Sequence, residues 1–286
     1  MSICTSTKSS SRPSRAPAGR SPRTARSMAI PIRAAVSACA VALVAGCGKS
    51  SKPTDPGGSP PLVLLETHPL AIREPSDLTI DDTGTILWAV TNHPQKVYRL
   101  GLDGHVADSL SYIGNDLEGV AYDPRDHTLW LAEEEFRQVV HIDLTGAELA
   151  RYSLGLTGQH NKGLEGICLN DSGTVFLVNE MEPGLFIRLH PDHSIATMIN
   201  LTFATDYSGI TYDLAKRCFM IVSDQSQGLF LWDESNHVLA SRALPFKKPE
   251  GIAYDPARNR IYLVSDATNA LYVFQGFPEL GSTDAN

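Results

Sequence analysis

PEGIAYDPARNRIYLVSDATNALYVF, residues 249–274, is the stretch that decides the fold. Three short apolar runs follow one another: Ile252 to Tyr254, Ile261 to Val264, and the alternating Leu271-Tyr272-Val273-Phe274. Asp-Pro and polar turn residues punctuate them. Runs of four to eight residues rich in β-branched and aromatic side chains, bounded by turn signals, read as strands.

The same grammar recurs four times upstream. The segments are SDLTIDDTGTILWAVTNHPQKVYRL from Ser76, LEGVAYDPRDHTLWLAEEEFRQVVHI from Leu117, LEGICLNDSGTVFLVNEMEPGLFIRL from Leu164 and YSGITYDLAKRCFMIVSDQSQGLFLW from Tyr207. Their starts lie 41–47 residues apart. A fourth strand follows the third in Glu148 to Leu154 and in His237 to Leu244. No segment sustains a helical period. Repeats of this length with four strands are propeller blades. The expected fold is therefore all-β, a five-bladed β-propeller of four-stranded blades.

The fifth repeat stops after its third strand, which would leave an open sheet edge. Upstream of the first repeat, LVLLETHPL at 62–70 resembles the fourth-strand segment HVLASRALP at 237–245. It is expected to complete the last blade and close the ring. The propeller then occupies 62–275, with a disordered tail over 276–286.

The chain has 286 residues, of which 42% are hydrophobic and 20% charged, a globular composition. Its charge is divided. Residues 1–46 hold seven basic groups and no acidic one, leaving 17 basic and 32 acidic residues in the remaining 240, a net of −15. Nucleic acid is excluded as a partner, because its binding rests on phosphate neutralisation by Lys and Arg. Divalent cations, which favour carboxylate oxygens, fit such a body.

The N-terminus reads as an address. Residues 1–27 are Ser, Arg and Pro rich, either disordered or a non-native extension before a start at Met28. The apolar run Ala34 to Ala45 has the length of a signal-peptide core, and it is too short for a membrane span. It ends Val44-Ala45-Gly46-Cys47, small residues before a Cys, which resembles the lipobox of bacterial lipoproteins. The resemblance implies a lipoprotein signal peptide over 28–46, lipidation of Cys47 and membrane anchoring at the periplasmic or outer face. A plain secretory signal with an incidental Cys is the alternative. Residues 47–61 form a flexible Gly/Pro/Ser tether. Cys168 and Cys218 remain in the folded body, read as buried free thiols with a disulfide left open.

Two acidic rows stand in register. The first acidic position of each repeat gives Asp77, Glu118, Glu165, Ser208 and Glu250; the residue after the second strand gives Asn92, Glu134, Glu180, Asp224 and Asp266. The separations are 15 or 16 residues. An antiparallel strand pair returns the chain to the side it left. The start of strand one and the end of strand two thus share one face of the disc. Up to eight carboxylates are expected at one mouth of the central channel: Asp77, Glu118, Glu134, Glu165, Glu180, Asp224, Glu250 and Asp266. Like charges so close repel unless a cation or protons intervene. Ca²⁺, with six to eight oxygen ligands, suits the cluster better than Mg²⁺. Taken singly, each acidic residue is better explained as a turn residue that accepts backbone hydrogen bonds or faces water, and it is the repeated pair in register that raises the cluster. His160, Asn161 and Lys162, in a loop before the third repeat, are further candidates to touch a ligand. No GxSxG elbow, phosphate-cradling loop or CxxC pair is present.

LEGVAYDP, LWLAEEE, GLEGI, LVNE and PEGIAYDP on an exported chain resemble the SdiA-regulated (YjiK-like) family of bacterial exported β-propeller proteins. The fifth repeat is also similar, more distantly, to the NHL-type repeat. The resemblance implies a five-bladed, calcium-binding propeller without an established enzymatic role. Carried over by motif, the Glu-Gly glutamates are Glu118, Glu165 and Glu250. Ser208 and the pair Asp77-Leu78 depart from it, which biases the site toward repeats two and three. Three functions follow as expectations. They are a monomeric, lipid-anchored module that binds a small molecule or an envelope protein, a metal-dependent hydrolase (lactonase- or phosphoesterase-like), and an interaction scaffold.

Overall fold

The computed structural model describes residues 61–159 and 161–277. The leader, Cys47, most of the tether, His160 and residues 278–286 lie outside the described residues. Leu64–Pro69 forms β1. The first blade is β2 (Pro75–Ile80), β3 (Ile86–Thr91), β4 (Lys96–Gly101) and β5 (Val106–Ile113). The second is β6 (Leu117–Asp123), β7 (Thr128–Glu133), β8 (Gln138–Asp143) and β9 (Glu148–Ser153). The third is β10 (Leu164–Leu169), β11 (Val175–Asn179), β12 (Leu185–Leu189) and β13 (Ile195–Asn200). The fourth is β14 (Gly209–Asp213), β15 (Cys218–Ser223), β16 (Gly228–Asp233) and β17 (His237–Ala243). β18 (Pro249–Asp255), β19 (Arg260–Ser265) and β20 (Ala270–Gln275) begin the fifth.

Each blade is one four-stranded antiparallel sheet, and β1 pairs with β20 as the outer strand of the fifth. The first strand to be made thus joins the last, so no blade lacks its outer strand. The fold runs slightly past the expected boundary. Phe277 is buried in the core between the fourth and fifth blades, and the Gly276 N–H donates to the Asn259 carbonyl at 2.8 Å.

The core is a ring of five apolar clusters, one between each pair of neighbouring blades. Alternation along the second strands supplies both sides. In β19, Ile261 and Leu263 pack toward the fourth blade, while Tyr262 and Val264 pack toward the first. A strand covered on both faces reads as a continuous apolar run, which is why these strands were the most hydrophobic of each repeat. Outer strands alternate instead, as in β9. Side-chain bonds reinforce the ring at the turns. Arg258 donates to the Gly84 carbonyl at 2.8 Å, and Arg125 to the Ser172 carbonyl at 2.9 Å. Cys168 and Cys218 are buried free thiols.

A candidate metal centre at the channel mouth

The innermost strands start at one mouth of the channel, and in four of them the start is irregular. The register slips between Pro75 and Asp77, Leu117 and Gly119, Leu164 and Ile167, and Pro249 and Ile252. A bulge bends a strand and re-aims a side chain. Here it places Glu118, Glu165 and Glu250 on the wall of a cavity of about 280 Å³. β14 pairs regularly from Gly209, and Ser208 stands in the corresponding place.

Behind each Glu stands a glycine, because the inner strands touch there. A Cβ on Gly119 would meet the Glu165 carbonyl oxygen at 2.3 Å, and one on Gly209 the Glu250 carbonyl oxygen at 2.5 Å. The Glu-Gly motif therefore couples a ligand-bearing side chain to a close backbone approach.

The first blade shows where one sequence expectation differs. Pro75 pairs with Thr91 as Leu117 pairs with Glu133, so Ser76 holds the glutamate position and Asp77 the glycine position. Asp77 is fully buried below the mouth and does not line the cavity. Its two oxygens accept the N–H groups of Val120 at 3.0 Å and Ile252 at 3.2 Å. Burial pushes its pKa up, and the backbone donors pull it back. With glycines in the other four blades, this one side chain plugs the axis.

Glu118, Glu134, Glu165, Glu180, Asp224, Glu250 and Asp266 all line the mouth. So do Glu74, Asn92 and Asp206. Candidate ligand oxygens of Asp116, Glu118 and Glu134 lie within 4.8 Å of one another, and those of Glu134, Glu165 and Glu180 do likewise. Glu134 belongs to both groups, at the boundary of the second and third blades. Asp116 and Asp206 went unread in the sequence. They form a third row with Glu74 and Lys248, one residue before Leu117, Tyr207, Pro75 and Pro249, and the third blade has Gly163 in that place. That row was visible as a repeat position. The carboxylate run Glu133-Glu134-Glu135 splits by alternation. Glu133 turns away, accepting from Tyr112 Oη at 2.8 Å, Gln138 Nε2 at 2.7 Å and Arg151 Nη1 at 2.6 Å.

Several mouth carboxylates already have donors. Asn92 Nδ2 donates to Glu118 at 2.5 Å, and the Gly163 N–H to Glu134 at 2.6 Å. Ser223 Oγ donates to Asp206, and Lys248 pairs with Asp266 at 2.7 Å. Asn161 lines the mouth, and Lys162 pairs with Glu182 at 2.8 Å. For Glu165, Glu180, Asp224 and Glu250 no donor is found among the described residues.

The electrostatics follow. Burial pushes Glu134 and Glu180 each up to about 7, with neighbouring carboxylates adding. Burial and the charge of Asp224 take Glu250 to about 8. Glu118 and Glu165 also stand well above the usual range, burial first and neighbouring glutamates next. Protonation relieves part of the repulsion among these carboxylates. A cation would do so better. Ca²⁺–oxygen distances of about 2.3–2.6 Å allow donors up to about 5 Å apart, whereas Mg²⁺ at about 2.0–2.1 Å demands a tighter octahedron. The donor set is all oxygen, which fits a hard cation.

The family model described as SdiA-regulated matches residues 64–275. Among solved structures, the glutaminyl cyclase of Myxococcus xanthus superposes with TM-score 0.60 at 14% identity, covering 74% of this chain and 95% of that one. The gluconolactonase of Xanthomonas campestris superposes with TM-score 0.53 at 13% identity, covering 80% and 99%. At these identities the likeness is one of fold, and a fold hosts many activities.

Proposed function

The chain belongs to the SdiA-regulated family, and from that premise we propose that it is a calcium-binding recognition module held at the cell envelope by a lipid on Cys47. One observation carries the reading. Two carboxylate groups sharing Glu134, with ligand oxygens within 4.8 Å, sit at the end of a mouth wide enough for a further ligand. Glu118, Glu134, Glu165 and Glu180 would hold the ion. Asp224, Ser208 and Glu250 would face whatever small molecule or protein segment enters beside it. Calcium supplies charge neutralisation and open oxygen-coordination positions. The lipobox-like end of the leader supports lipidation of Cys47, and the tether over 47–61 would give the folded body reach from a membrane.

Calorimetry with Ca²⁺ should show binding that Glu165→Gln and Glu134→Gln each weaken by at least about tenfold, ~1.4 kcal/mol. Absence of binding at millimolar calcium would remove the metal reading. Cys47→Ser should move the protein from the membrane to the soluble fraction; unchanged fractionation would remove the anchor.

A second reading, a metal-dependent hydrolase of lactone or phosphoester type, is favoured by Glu250. Its carboxyl is held up to about 8 beside the ligand groups, where a general acid or base is useful near neutral pH. Hydrolysis of a lactone and phosphoester panel, abolished by Glu250→Gln with calcium binding retained, would select it over the recognition module.

A further inference from the structure

The inner strands carry a second cavity at their opposite ends, of about 260 Å³. Tyr122 lines it, four residues beyond Glu118 on the same strand, roughly 13 Å away at about 3.3 Å per residue. The glycine ring and the Asp77 plug separate the two mouths. The chemistry is opposite as well. Each blade sets one aliphatic side chain at the floor, Val120 and Ile252 among them. Tyr122, Tyr212 and Tyr254 form the wall, and Leu214 stands at the rim, 54% exposed.

The rim charges are acidic. Asp82 and Asp171 line the opening, and no Lys, Arg or His does so among the described residues. Of the cations nearby, Lys216 pairs with Asp213 at 2.7 Å and lies over the Tyr254 ring at 5.6 Å, Arg125 pairs with Asp123 at 2.6 Å, and the charge of Arg217 acts on Tyr212 from outside the lining. Asp82 accepts only from Tyr122 Oη, at 3.1 Å, and Asp171 accepts no side-chain bond from a described residue. An apolar floor, aromatic walls and unneutralised carboxylates at the lip together recognise an organic cation. The body gains burial against the floor and the tyrosines, and the carboxylates attract the positive charge.

We infer that this second mouth binds a small organic cation with an apolar body, of the size of a one-ring arylalkylamine. The body lies among the tyrosines and the ammonium points to Asp82 and Asp171. This inference is independent of the calcium reading, and the test keeps them apart. The full protein, saturated with Ca²⁺, is titrated with phenethylamine, phenethyl alcohol and phenylacetate, followed by ligand-observed NMR. The amine should bind at least about fivefold more tightly than the alcohol, ~1 kcal/mol, and phenylacetate should not bind. The exposed pair Asp82→Asn with Asp171→Asn should bring amine and alcohol to equal affinity. Tyr212→Leu should weaken both, with the unfolding curve checked for each variant. Glu165→Gln, at the other mouth, should change neither. Equal binding of phenylacetate, or no binding of any probe, would overturn the inference. So would an amine affinity that follows Glu165→Gln rather than the aspartate pair.

Discussion

If the mouth holds the proposed cation, chelation together with a rise in pH should destabilise this protein through the channel mouth. In a buried carboxylate whose folded pKa lies above its unfolded value, the folded state holds the proton more tightly. Its stabilisation is complete below the unfolded pKa and is lost as pH rises through the folded one. For Glu134, 4% exposed, that window runs from the ordinary 4.5 to about 7. At about 1.4 kcal/mol per pKa unit, the loss across it is roughly 3 kcal/mol. Glu180 and Glu250 lose stability over the same range and beyond, to about 7 and about 8. Because the groups interact, their losses are shared rather than summed. On the proposed reading calcium would replace the protons. At one hundred times its dissociation constant it should return about 2.7 kcal/mol, most visibly at pH 8. The assay is urea unfolding in EDTA from pH 5 to 8.5, repeated with calcium. Calorimetry in two buffers of different ionisation enthalpy counts the protons released on binding. Stability in EDTA that stays level from pH 5 to 8, together with no proton release, would refute the reasoning.

Three further outcomes test the frame around the site. Asp77→Asn should cost roughly 2–4 kcal/mol, because an amide has one accepting oxygen for the two N–H groups that the carboxylate serves; a urea midpoint within error of the parent would show that the plug is dispensable. Gly119→Ala should unfold the protein or cost several kcal/mol, since its Cβ would lie 2.3 Å from backbone oxygen, and retention of the parental melting temperature would contradict the close approach. Cys168 and Cys218 should resist a thiol reagent until the protein unfolds, as both are buried and burial pushes both thiols up; labelling at the rate of a free thiol in native buffer would contradict that placement.

Much of this architecture was legible residue by residue. Apolar runs of period two marked the strands, and the spacing of five PEGIAYDP-like segments gave the blade count. The unpaired fifth repeat pointed to 62–70 as the closing strand, which β1 confirms. Antiparallel return put Glu134 and Glu180 on the same mouth as Glu118 and Glu165. These are local facts, fixed by backbone pleat and turn chemistry along one chain segment.

Other facts belong to the closed ring alone. Ser76, not Asp77, stands in the glutamate row, because the ladder pairs Pro75 with Thr91 as it pairs Leu117 with Glu133, and a one-residue slip changes what a side chain faces. Asp77 became a plug only because four neighbouring blades present glycine to the axis. Asp206 lines the mouth and Asp116 stands beside Glu118 and Glu134, at a repeat position whose place only the folded turns show. Sequence spacing sets which residues lie at one end of a sheet. The distance between carboxylates on different blades is set by how closely five sheets pack around their axis, and that packing exists only once the last strand has met the first.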